Sequence, residues 1–95
     1  MIERDILIND KVIKGYEIEL PNAKLILLAA PKGYVMCGYL NIEASDKFND
    51  CAAVVKGVRS IDELLAKEVF SVSVAAGKKG IKPGMTGLEA ISLMI

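Results

Sequence analysis

Leu25-Ile26-Leu27-Leu28-Ala29-Ala30, then Pro31-Lys32-Gly33, then Tyr34-Val35-Met36-Cys37-Gly38-Tyr39-Leu40 is the stretch from which the architecture follows. Two short apolar runs flank a Pro-Lys-Gly turn. Neither run alternates, and neither approaches the roughly 20 residues of a membrane-crossing helix. Short unbroken apolar runs closed by turn residues read as strands that are apolar on both faces, and such strands must be covered on both faces.

Upstream, Tyr16, Ile18 and Leu20 alternate with Glu17 and Glu19, a period of two that predicts one buried face and one wet face. Pro21-Asn22 turns the chain into the next strand. Asn9-Asp10, two residue types that tolerate positive φ, turn it out of a first strand around Ile6 and Ile8. Residues 1–40 are therefore expected to form a four-stranded antiparallel meander and to carry the oligomer contacts. Residues 41–95 are expected to be mostly helical, in one α+β domain spanning 1–95.

In that second part the period changes. Asn41 can cap a short helix to about Asp50, with Ile42, Ser45 and Phe48 on one stripe. Cys51-Ala52-Ala53-Val54-Val55 reads as one further buried strand. Ser60-Ile61-Asp62-Glu63 and Thr86-Gly87-Leu88-Glu89 are capping boxes. The first opens a helix burying Ile61, Leu64 and Leu65; the second opens one burying Leu88, Ile91 and Met94 or Ile95. Phe70–Gly77 supports two patterns, strand at its start and helix at its end, the latter closed by Gly80. Three to four short helices result.

The C-terminal helices can cover one face of this sheet. A second copy of the sheet is the simplest cover for the other. The composition agrees: 53% of the 95 residues are apolar but only five are aromatic, more aliphatic surface than a small subunit uses alone. Twelve basic residues balance twelve acidic ones, which argues against a nucleic-acid partner. The acidic N-terminus has no apolar core of a signal peptide, and no segment suits a membrane, so a cytoplasmic location is expected. Two cysteines outside any CxxC pair do not make a disulfide framework.

Three segments resemble a known family: Gly33-Tyr34-Val35-Met36-Cys37-Gly38, Gly57-Val58-Arg59-Ser60-Ile61-Asp62-Glu63-Leu64-Leu65, and Gly80-Ile81-Lys82-Pro83-Gly84-Met85-Thr86-Gly87-Leu88-Glu89-Ala90. In order and spacing they are similar to the YunC-like family of bacteria and archaea, a domain of unknown function. The resemblance implies a single α+β domain, tetramerisation through the N-terminal strands, and helix over Ser71–Lys79. It supplies no catalytic residue, substrate or cofactor.

Chemistry is constrained by the absence of histidine, which removes the usual Ser-His and Cys-His pairs and most zinc sites. No phosphate-binding glycine motif or spaced carboxylate pair is present, and no metal or cofactor is expected. Cys37, beside Gly38 at a strand end, reads either as a nucleophilic thiol with Arg59 as substrate anchor or as a small apolar residue in a central strand. Arg59 and Ser60 at a helix start, with Lys56 and Gly57 before them, read either as a site for a small anionic ligand or as a capped helix with a solvated Arg. The loop Lys82–Gly87 reads as turn chemistry or an anion cradle. The function expected is a homo-oligomeric domain binding a small anion near Cys37, Gly38, Lys56, Arg59 and Ser60. A cysteine-dependent enzyme and a protein-assembly module are the alternatives.

Overall fold

The computed structural model describes residues 1–95. The predicted meander is present as β1 (Ile2–Ile8), β2 (Lys11–Glu19), β3 (Lys24–Ala30) and β4 (Gly33–Cys37), each antiparallel to the one before. Helix α1 (Ile42–Lys47) then brings the chain back so that β5 (Ala52–Val55) lies parallel to β4. After α2 (Ile61–Ala66) a two-residue β6 (Ser71–Val72) pairs antiparallel with β5, and α3 (Val74–Lys78) and α4 (Gly87–Ser92) complete an α+β fold. The six strands lie in sequence order across one sheet.

Local chemistry sets the boundaries. Asn9 and Asp10 both take positive φ, 51° and 64°, as a two-residue hairpin turn requires. Side chains of Asn41, Ser60, Ser73 and Thr86 each accept an amide at the start of a helix. Thr86 and Glu89 form the complete capping box. At α2 only the hydroxyl half forms, and the Glu63 carboxylate reaches back to the Arg59 amide at 2.9 Å. The two patterns in Phe70–Gly77 are both realised in succession: Ser71 and Val72 pair with β5, and Ser73 then caps α3. The sheet thus has one more short strand than expected.

One face carries the main core. Ile13, Ile26, Leu28, Val35 and Val55 pack under Ile61, Leu64, Ile91 and Met94. On the opposite face α1 covers only the far side, where Met36, Ala52 and Val54 meet Ile42 and Leu40. Phe48 and Leu88, expected in helix cores, are 76% and 45% exposed. Phe48 lies past the end of α1, which stops at Lys47, and at α4 the buried stripe passes through Ala90, Ile91 and Met94 instead.

The alternation in β2 is real, but its faces are the reverse of a simple amphipathic strand. Ile13, Gly15 and Glu17 point at α2, with Glu17 only 8% exposed. Gly15 is needed there: a Cβ would sit 2.9 Å from Ile61 Cδ1. Val12, Tyr16 and Ile18 point to the other face, where Val12 pairs with Leu7 and Ile18 with Leu25. Leu7 and Val12 are 67% and 58% exposed there.

Candidate functional site

The β3–β4 hairpin sets the start of β3 beside the end of β4. Lys24 therefore lies near Cys37 and Gly38, and the loop after β5 brings Gly57 and Val58 alongside. These residues, with Ala23 and Tyr39, line a cleft of about 280 Å³. Cys37 forms its floor. The thiol is 3% exposed, and its Sγ accepts the Ile26 amide at 3.3 Å, satisfying a backbone donor beyond the last β3–β4 pair. Tyr39, which shares the parity of Cys37, lines the same cleft.

One cation, Lys24, lines this cleft, and a second, Lys67, lies beside Gly57 outside the lining. The Lys24 Nζ lies 3.6 Å from Glu17 Oε1. The Lys67 Nζ passes 2.8 Å from where a Cβ on Gly57 would sit, and it has no carboxylate within ion-pair distance. Gly57 has φ of 72°, a backbone conformation that favours glycine, and its missing side chain is what admits the ammonium.

Cys37 and Gly38 line this cleft with the segment just before Arg59 and Ser60, but neither Arg59 nor Ser60 is part of its lining. The Arg59 side chain is exposed and makes no ion pair, and its amide belongs to Glu63. Ser60 is used as the α2 cap. The α2 amide at Ile61 is taken by Glu17 Oε2 at 2.9 Å, so the anion at this helix start is the chain's own carboxylate. Lys56 belongs to a neighbouring depression with Tyr39, Gly38 and Phe70, its ammonium 3.8 Å from the Phe70 ring centroid.

Lys24 and Lys67 are the residues that sequence reasoning missed. Lys24 was reachable from hairpin register, since a strand's first residue faces its partner's last. Lys67 comes from the far end of α2, and nothing local in the sequence links it to Gly57. Burial pushes the Cys51 thiol up, with Lys79 acting in the opposite direction. No three His, Cys, Asp or Glu side chains gather as a metal site. No helix is long and apolar enough to cross a membrane. Chemically, the cleft offers the Lys24 ammonium, already beside Glu17, and a shielded thiol, with Lys67 beyond Gly57.

A family model described as "Domain of unknown function (DUF1805)" matches residues 36–94. The chain is 35% identical over 94 residues to the uncharacterised protein YunC of Bacillus subtilis, covering 95% of this chain and 93% of that one. The crystal structure of a protein of unknown function, TA1206 from Thermoplasma acidophilum, superposes with a TM-score of 0.95 at 38% identity, covering 99% of this chain and 92% of that one.

Proposed function

We infer that this chain, which belongs to the DUF1805 family, is the subunit of a homo-oligomer that joins through the uncovered face of β1–β3. The observation that carries this is the direction of the β2 stripe. Val12, Tyr16 and Ile18 face away from α2, while a carboxylate, Glu17, faces toward it. Leu7, Val12 and Ile18 remain exposed, with Leu25 and Leu27 half-buried beside them. Covering apolar surface is worth about 25 cal/mol per Å². A second copy suits this face because Lys14 already bonds Asp5 on the same side, which leaves Glu3 as the one charge of these strands on that face without an ion pair. Four subunits is the number the YunC-like resemblance implies. Two free thiols suit a reducing, cytoplasmic setting.

Sedimentation of the wild type at micromolar concentration tests this against the Val12→Glu, Ile18→Glu double variant. The wild type should run as an oligomer. The variant should run as a folded single subunit with unchanged far-ultraviolet circular dichroism. A wild type that sediments as one subunit ends the reading.

A second reading is supported by Lys24 in the lining of the Cys37 cleft and by Lys67 beside its Gly57. There, Lys24 and Lys67 would hold a small anion such as phosphate, with Gly38 in the wall and Lys56, Arg59 and Ser60 on the adjoining segment. Phosphate should then raise the melting temperature of the wild type, and Lys67→Ala should lose that rise. Equal responses in both proteins count against it.

A further inference from the structure

The groove between α1 and β3 is a second concave site, separate from the Cys37 cleft and on the opposite face of the sheet. It arises because α1 packs over β5 through Ile42 and does not extend across to β3. The space left is about 410 Å³, within the range of small-molecule sites. Leu27 and Met36 form the floor, and Leu40, Ala44 and Phe48 form the walls. One end is polar. The Tyr34 hydroxyl lies 2.7 Å from Ser45 Oγ and donates to Asp50 Oδ2 at 3.0 Å.

Asp50 supplies the only formal charge in this lining. It forms no ion pair: Lys32 and Lys79 line a depression that Asp50 shares, and neither comes within 4.0 Å of the carboxylate. One carboxylate oxygen is held by Tyr34, and the other receives no donor from the chain. The complement of an apolar trough ending in an unpaired carboxylate is a molecule with an apolar body and a cationic head. An anion would meet Asp50 directly, and a neutral alcohol would forgo the charge-assisted hydrogen bond. We propose that the groove formed by Leu27, Met36, Ala44 and Phe48 binds a small primary amine with an apolar body, its ammonium on Asp50 beside the Tyr34 hydroxyl.

The test uses 2-phenylethylamine, its neutral isostere 2-phenylethanol and the anion 3-phenylpropanoate, titrated into the full chain while the Ala44 and Phe48 amide resonances are followed. The amine should bind at least tenfold more tightly than the alcohol, and the carboxylate should not bind. Asp50→Asn should abolish the preference for the amine. Ala44→Leu, at an exposed helix position, fills the groove and should weaken the amine whether or not Asp50→Asn folds. Equal binding of amine and alcohol overturns the proposal, as does amine binding that survives Ala44→Leu. If the amine binds only once Val12→Glu and Ile18→Glu have separated the subunits, the groove belongs to a second copy of the chain, which also overturns the proposal while leaving the assembly reading intact.

Discussion

Glu17 Oε2 accepts the Ile61 amide at 2.9 Å, joining the latter part of the second strand to the start of α2 across 44 residues of chain. The carboxylate is buried where a strand with this alternation would normally place an aliphatic side chain. It satisfies a helix-start donor, and its negative charge suits the positive end of the helix. The same contact fixes the parity of β2. With Glu17 committed to α2, Tyr16 and Ile18 must face the other way, and the exposed apolar stripe follows.

Glu17→Ala should therefore destabilise the fold by about 1–3 kcal/mol, the cost of leaving a buried amide without its acceptor. Glu17→Gln, which keeps an acceptor oxygen, should lose less. Urea unfolding of both variants checks the order, and equal losses would mean that the contact contributes only packing.

Two glycines should respond oppositely to what their flexibility alone suggests. A Cβ on Gly87 would run into the Leu64 carbonyl oxygen, where α2 and α4 cross. Gly87→Ala must push backbone from backbone and should cost about 3 kcal/mol. Gly80 has φ of 87° but open space around it, so Gly80→Ala meets only the backbone penalty of about 1–2 kcal/mol. Thermal melts of the two variants should rank Gly87→Ala as the more damaged.

The meander and the three helix starts at Asn41, Ser60 and Thr86 were legible because each rests on neighbours in sequence, whereas Phe70–Gly77 carried both patterns and the helix that the resemblance implied from Ser71 is corrected by the pairing of Ser71 and Val72 with β5. Face assignment was not legible in β2. Period two marks two faces but does not say which one meets the helices, and here one long-range hydrogen bond decides it. Phe48 and Leu88 failed for a related reason: the expected stripes ran to residues that lie beyond the helix end or off its buried side. In the cleft, Cys37 and Gly38 were legible from a strand end. Arg59 was drawn in by adjacency along the chain, whereas the cation set against the open side of Gly57 is Lys67, brought there by the whole length of α2.

Acid sensitivity should include one surface pair. Arg4 Nη2 lies 2.8 Å from Asp62 Oδ1, and this hydrogen bond holds the Asp62 carboxyl below its ordinary range. A depressed carboxylate contributes stability above its unfolded pKa of about 3.9 and loses it as pH falls through the lower folded value. Asp62→Asn should therefore be less stable than wild type at pH 7, and the difference should shrink below about pH 4. Urea midpoints at pH 7 and in acid measure it. A constant difference would assign the effect of the variant to something other than the ion pair.

Thiol reactivity separates the two roles open to Cys37. The side chain is 3% exposed and already accepts the Ile26 amide, and Cys51 is 6% exposed with its thiol pushed up by burial. An attacking thiolate needs access, which a side chain this buried and already holding a backbone amide does not have. Iodoacetamide at pH 7.5 should modify neither cysteine in the native protein and both in urea, read by intact mass. Selective native labelling of Cys37, faster than an unfolded-chain thiol, would instead restore a catalytic reading of the thiol. The Cys37→Ala variant would then lose that labelling while keeping its oligomeric state, because Cys37 lies on the helix-covered face and the assembly surface lies on the other.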